Sequence, residues 1–223
     1  MVITFGAEKG GVGKSRLATN IAALAACNGV DVVLLDTDKQ GSATSWSQIR
    51  NEEGILPSIP VFALPPNPAR ELANLSTRYT LVVVDIGAQN YRTMLECSLL
   101  SDLVVVPCGP DQQELESTIN VFTHLKDMGS RHELGHIPAH VVLTRVSTIE
   151  AAKATMEVRE HLLSEGIAVF DAQIAQRASW LASGKSGRAM HELNSRDRSQ
   201  KATDEVQALY DEILKRINAR SHT

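Results

Sequence analysis

Glu8-Lys9-Gly10-Gly11-Val12-Gly13-Lys14-Ser15 stands between an apolar run, Val2 to Phe5, and an alanine-rich stretch that begins at Leu17. Strand, glycine loop and helix thus follow one another in the order that builds an anion nest. Glycines lack a Cβ, so the loop reaches positive φ and turns several backbone N–H groups inward, at the positive end of the next helix. Lys14 is placed to reach the β- and γ-phosphates of a nucleotide, and the Ser15 hydroxyl to reach a Mg²⁺ that bridges them. A plain glycine-rich turn between strand and helix is the alternative, and it has no use for Lys-Ser at the helix start.

Outward from this loop, Leu17, Ala18, Ile21, Ala22, Leu24 and Ala25 recur at helical spacing, and Gly29 closes the helix. Val32 to Leu35 is a continuous apolar run suited to a parallel strand buried on both faces, and it delivers Asp36, Thr37 and Asp38 at its end. A short strand is expected over Val61 to Leu64, then breaks at Pro65, Pro66 and Pro68, then a helix over Ala69 to Leu75. Leu81 to Val84 forms the next strand and ends in Asp85, Ile86 and Gly87; a helix over Leu95 to Leu100 precedes the strand Leu103 to Val106, which Pro107 stops. Helices are expected over Gln112 to Met128, Ile149 to Glu165 and Lys201 to Asn218, with strands at Ala139 to Leu143 and Val169-Phe170, and an irregular segment carrying Arg177, Trp180, Lys185 and Arg188. The alternation predicts an α/β fold with a mostly parallel, twisted sheet and helices on both faces, in one domain over residues 1–223, and the Glu8–Ser15 loop makes it one of the P-loop NTPase type. Open sheets of this kind bind ligands at the carboxyl ends of their strands. Asp36, Asp38 and Asp85 therefore arrive at the edge that carries the phosphate loop.

Composition excludes several classes. At 43% hydrophobic and 22% charged residues the chain resembles ordinary globular proteins and not disordered ones. No apolar run approaches the ~18–20 residues of a membrane span, and a strand-like run already at Val2 leaves no room for a cleavable leader, so a cytoplasmic protein is expected. Cys27, Cys97 and Cys108 are far apart in apolar runs without C-x-x-C spacing, which predicts buried structural thiols. The net charge of −4 is unevenly spread: residues 1–150 carry −5 and residues 151–223 carry +1. That leaves room for a basic surface towards the C-terminus.

The strand-end carboxylates have separate expected roles. Asp85 follows an aliphatic run and fits a Walker B carboxylate that orders the Mg²⁺ shell, with Ser15 and Asp36 as the other candidate metal residues. In an extended backbone Asp36 and Asp38 share a face and point together at the γ-phosphate region, where one of them can orient the attacking water; the alternative is two turn carboxylates.

K-G-G-x-G-K-[ST] resembles the deviant Walker A loop of the ParA/MinD ATPases, and L-L-D-T-D-K-Q-G at Leu34 to Gly41 is similar to their D-x-D-P-Q-G switch. The likeness covers almost the whole chain and is nearest to the short ParA proteins of plasmid partition that lack an N-terminal helix-turn-helix domain. It extends to an I-x-Q-R segment at Ile174 to Arg177. The resemblance implies a slow ATPase in which Lys9 and Lys14 serve catalysis, Lys9 by reaching the nucleotide of a partner subunit, and in which Asp38 is needed for hydrolysis. It places Lys9, Gly10, Gly11, Val12, Gly13, Lys14, Ser15, Arg16, Asp36 and Gly87 around ATP, with Thr144 and Arg145 near the base, Arg145 being otherwise a solvated strand-end charge. Three positions depart from the family pattern: Glu8 at the first loop position, Arg16 for the usual Ser or Thr, and Lys39 for proline.

The partners follow from the same resemblance. ATP closes a sandwich homodimer, the dimer binds DNA without sequence preference, and a centromere-bound or cargo adaptor protein stimulates hydrolysis and release, which makes the protein nucleoid-associated. Arg177, Lys185, Arg188, Arg196, Arg198 and Lys201, broken only by Glu192 and Asp197, are the candidate DNA contacts, or else an ordinary solvated face. Two rivals are a MinD-like positioning ATPase on membranes and a metabolic P-loop synthetase. The last helix has an apolar stripe at Val206, Leu209, Ile213 and Ile217, but Asp204, Glu205, Asp211 and Glu212 suit docking onto the domain better than binding to anionic lipid.

Overall fold

The computed structural model of the chain describes residues 1–63, 68–88, 90–133, 135–148 and 152–220. The expected strand end at Leu64, the breaks at Pro65 and Pro66 and the helix start at Ile149 lie outside the described residues. Seven strands, β1 (Val2–Phe5), β2 (Val32–Asp36), β3 (Val61–Ala63), β4 (Leu81–Asp85), β5 (Leu103–Cys108), β6 (Ala139–Val146) and β7 (Val169–Ala175), form one sheet in the order β3-β2-β4-β1-β5-β6-β7. Every pairing is parallel. The helices are α1 (Lys14–Cys27), α2 (Ser42–Glu52), α3 (Pro68–Ser76), α4 (Tyr91–Ser98), α5 (Gln112–Arg131), α6 (Ala152–Ser164), α7 (Ser179–Ser186) and α8 (Gln200–Arg220), with a 3₁₀ turn at Met190–Glu192.

The strands read as unbroken apolar runs because the side chains of alternate residues feed two separate cores. Ile3, Phe5, Leu34, Val83 and Val105 pack with α1, α2, α7 and α8 on one face. Val2, Val33, Leu35, Val82, Val84 and Val106 pack with α3, α4, α5 and α6 on the other. Each fully buried aliphatic side chain contributes roughly 1.5–3 kcal/mol, so neither face can be left uncovered. The expected fold class is the observed one.

At the β7 edge the sequence pattern was harder to read. β7 runs on through the exposed Asp171 and Gln173, well past the two residues expected. An edge strand leaves one row of N–H groups unpaired, and α8 meets that need with carboxylates. Glu212 accepts the backbone N–H of Asp171 and Ala172 at 3.0 Å each, and Glu205 accepts that of Ala175 at 3.1 Å. These acidic residues of α8 close the sheet, and its apolar stripe of Val206, Leu209, Ile213 and Ile217 is buried in the core. The segment expected to be irregular contains α7, and Trp180 on it is packed, with its indole N–H donating to the Ala175 carbonyl at 3.2 Å. The expectation of three buried thiols needs one correction: Cys97 and Cys108 are buried, but Cys27 is exposed, because it falls on the last turn of α1, past the stretch that the sheet covers.

Arg50 on α2 is a fully buried cation that the sequence does not announce. Its guanidinium forms a two-pronged pair with Glu192 at 2.6 and 2.7 Å, donates to the carbonyls of Gly187 and Pro57, and lies 5.3 Å from the centre of the Trp46 ring. Removing one partner of such a pair strands the other charge in low dielectric. Arg50→Ala is accordingly expected to lower the unfolding free energy by about 3–5 kcal/mol, as read from urea denaturation. A loss below about 1 kcal/mol would show that water compensates the Glu192 charge once Arg50 is gone.

Candidate nucleotide-binding site

The chain leaves β1 and turns into α1 through the glycine loop. Gly11 at φ 76° and Gly13 at φ 105° occupy the left-handed region, and Gly13 caps the helix, its carbonyl accepting Leu17 N–H at 3.0 Å. The first-turn amides of α1 thus stay available at the positive end of the helix dipole. Two side chains brace the loop from outside. Thr144 at the end of β6 donates to the Val12 carbonyl at 2.9 Å, and Ser117 on α5 donates to the Glu8 carboxylate at 2.7 Å. The non-glycine at position 8 therefore serves as an anchor to α5. Lys14 is buried, and its ammonium donates to the Lys9 carbonyl at 2.7 Å, across the loop. Burial lowers its pKa, while the charges of Asp85 and Asp38 pull it back up. Lys9 itself is exposed, as are Gly10, Gly11 and Arg16.

Asp36 and Asp85 lie directly opposite one another in the register of β2 and β4. Both oxygens of Asp36 are engaged: Oδ1 accepts Asp38 N–H at 3.0 Å, and Oδ2 accepts the backbone N–H and hydroxyl of Thr44 at 2.8 and 2.9 Å. Asp36 thereby turns the chain and ties it to the start of α2. The extended geometry expected for Asp36 and Asp38 ends at Asp36, because Asp38 lies beyond the strand, in the turn that Asp36 closes. Asp38 is half-buried, and its Oδ1 accepts Gln40 N–H at 2.9 Å.

Thr37, which the sequence reading passed over, links this turn to the one after β4. Its N–H donates to the Asp85 carbonyl at 3.0 Å, its hydroxyl accepts Gly87 N–H at 2.9 Å, and its carbonyl accepts the Asn90 amide. Gly87 has no room for a side chain: a Cβ there would lie 2.9 Å from the Asp38 Cα. A cleft of about 610 Å³ results, lined by Gly10, Gly11, Lys14, Ser15, Asp38 and Gln40 among others. A smaller hollow of about 70 Å³ beside it is bordered by Gly13, Arg16, Thr144, Arg145 and Trp180. Of the pair expected near the base, Thr144 spends its hydroxyl on the loop, and Arg145, held at φ 55°, is paired with Glu114 of α5.

Asp85 shows that a cation fits. It is fully buried, and neither carboxylate oxygen meets a well-formed hydrogen bond among the described residues, the Ser15 hydroxyl standing only near enough to act on its charge. Burial pushes its pKa up to about 7; the Ser15 hydroxyl and Lys14 pull against that rise, and Asp36 and Asp38 add to it. A divalent ion held by Asp85 and Ser15 would satisfy those oxygens and offset the cost of burying the charge. The sign of the linkage follows from the raised value. The neutral acid suits the fold, so its contribution is complete below the ordinary 3.8 and is lost as pH rises through about 7. Asp85→Asn should raise the thermal midpoint of the ligand-free protein at pH 8, by the equivalent of a few kcal/mol at about 1.4 kcal/mol per pKa unit. The gap should close towards pH 4, and calorimetry across that range checks both halves.

The six candidate DNA contacts separate into groups. Lys185, Arg196, Arg198 and Lys201 are exposed. Arg188 is half-buried, and Arg177 is held by Glu205 at 2.5 Å. Of the two acidic residues that interrupt the stretch, Glu192 is neutralised by Arg50. No helix among the described residues is long and apolar enough to cross a membrane.

A parallel sheet whose first strand feeds a glycine loop into a helix, with buried carboxylates on the neighbouring strand ends, defines a P-loop nucleotide-binding protein. Residues 3–189 match the CobQ/CobB/MinD/ParA nucleotide binding domain, and the chain belongs to that family, as a nucleotide-binding ATPase of the ParA/MinD type. It is 25% identical over 211 residues to the maintenance of carboxysome distribution protein A of Halothiobacillus neapolitanus, covering 92% of this chain and 93% of that one. It is 24% identical over 209 residues to the ParA protein of Rhizobium radiobacter, covering 92% and 91%. A crystal structure of a ParA family ATPase from Chlorobium tepidum superposes with a TM-score of 0.70 over 93% of this chain and 98% of that one, at 20% identity, a likeness of fold.

Proposed function

We propose that the protein is a Mg-ATP-dependent partitioning ATPase: ATP joins two copies face to face, the dimer binds DNA without sequence preference, and an adaptor bound to a centromere or another cargo stimulates hydrolysis and release. The observation that carries this reading is the contrast between the two loop lysines. Lys14 is buried against its own loop, and Lys9 is exposed, next in the chain to Gly10 of the cleft lining. A charge held outside its own site is suited to completing the site of a second copy. The names of the relatives, ParA and a carboxysome distribution protein, support positioning of a cargo, which makes a nucleoid-associated protein. Mg²⁺ on Asp85 and Ser15 supplies charge neutralisation at the phosphates. The residues of the chain do the rest: loop amides and Lys14 hold the phosphates, and Asp38 orients water.

DNA binding rests on Lys185, Arg196, Arg198 and Lys201, doubled in the dimer. Each phosphate neutralised contributes about −0.9 to the slope of log affinity against log salt, so eight contacts set a limit of about −7. The test is sedimentation with plain duplex DNA across a salt series, with ATP and without. Binding that needs ATP, weakens steeply with salt and follows the dimer population agrees with the proposal. ATP-dependent binding to liposomes with none to DNA overturns it. Lys9→Ala should leave nucleotide binding by the monomer within a few-fold while removing both the dimer and the DNA-bound fraction, as size-exclusion with ATP reads.

A further inference from the structure

At the end of α1 away from the nucleotide cleft, and separate from the residues that line it, three side chains of metal-ligating type meet. Cys27 lies at the end of α1, and His191 and Glu192 lie in the 3₁₀ turn, more than 160 residues away along the chain. Their donor atoms all fall within 4.8 Å of one another. The separations are informative: Cys27 Sγ to His191 Nε2 is 3.4 Å, and Cys27 Sγ to Glu192 Oε1 is 3.6 Å. Around a tetrahedral Zn²⁺, with bonds of about 2.3 Å to sulfur and about 2.0–2.2 Å to nitrogen or oxygen, neighbouring ligands stand about 3.6 Å apart. The two separations from Cys27 thus already match two edges of a zinc tetrahedron, and the third pair of donors lies within 4.8 Å.

We infer that Cys27, His191 and Glu192 form a binding site for a borderline-soft divalent cation of the zinc type. The ligand set of one thiolate, one imidazole and one carboxylate selects such an ion over Mg²⁺ or Ca²⁺, which take oxygen ligands. The outer shell is built as well. Glu192 is fixed by both prongs of Arg50 and by Ala189 N–H at 2.8 Å, so its carboxylate is oriented before any ion arrives. Cys27 is exposed and His191 and Glu192 are only partly buried, which gives an entry path and a fourth position for water. A bound ion would join the far end of the helix that starts at the phosphate loop to the segment leading into α8. The site does not depend on the DNA reading.

A hydrogen bond between thiol and imidazole, with no metal affinity, is the competing account of the same distances. Co²⁺ separates the two, because a cobalt–thiolate bond adds an intense near-ultraviolet charge-transfer band. The purified, nucleotide-free protein titrated with Co²⁺ should show that band at one ion per chain, and Zn²⁺ should bleach it by displacement. Cys27→Ser should abolish the band, and His191→Ala should weaken affinity by more than the ~10–100-fold typical of losing an outer-shell residue. Neither variant removes a partner of Arg50, so both retain its buried ion pair. Ions held by the carboxylates of the nucleotide cleft are indifferent to Cys27→Ser and give no thiolate band. Cobalt binding without the band, or zinc binding equally tight in Cys27→Ser and wild type, overturns the inference.

Discussion

Lys14→Ala is expected to abolish nucleotide binding while leaving the fold intact. In the ligand-free chain the ammonium is buried and already spans the loop to the Lys9 carbonyl, so it meets the phosphates with little reorganisation. Each charge-assisted contact that it makes is worth about 1.5–3 kcal/mol, and contacts to two phosphates put the loss at 100-fold or more. Stability should not fall, because the substitution removes a desolvated charge. Calorimetric titration with ATP measures the first effect and thermal unfolding the second. A loss of less than tenfold would mean that the loop amides alone hold the nucleotide.

Asp38→Ala is expected to separate binding from turnover. Asp38 is held by the turn that Asp36 closes and by its own bond to Gln40 N–H, so its carboxylate stands at the cleft without a hydrogen bond to the phosphate loop, acting on Lys14 only through its charge. A positioned base or water-orienting group typically contributes 10²–10⁴-fold, and phosphate release should fall by about that factor. ATP affinity should stay within a few-fold, and the ATP-bound dimer should accumulate on size-exclusion. Hydrolysis at the wild-type rate in Asp38→Ala would assign the water to another residue.

The parts legible in the sequence are those with short-range signatures. The phosphate loop is contiguous, and the central strands are uninterrupted aliphatic runs because both faces are covered. The strand expected at Val169-Phe170 is shorter than β7, and α7 falls where an irregular segment is expected, for different reasons. β7 is an edge strand whose exposed Asp171 and Gln173 break the apolar pattern, and α7 is short and rich in Ser and Gly. The braces around the site were invisible because they join residues far apart in the chain: Ser117 to Glu8, Thr144 to Val12 and Arg50 to Glu192. Asp36 to Thr44 is closer in sequence, and an Asp just before a Ser/Thr-rich helix start was a readable hint of it. Thr37 carries no expected role between the two carboxylates because its hydroxyl acts on the turn after β4 and not on a ligand.

Thr37 also limits how the site can move. Its three hydrogen bonds tie the turns after β2 and β4 together, and at roughly 1 kcal/mol each they make displacement of one turn alone about 100-fold rarer than the intact arrangement. Four combinations of two independent turns therefore collapse towards two. A shift at Asp38 on one side is therefore expected to carry Gly87 on the other with it, so that the two turns move as one unit.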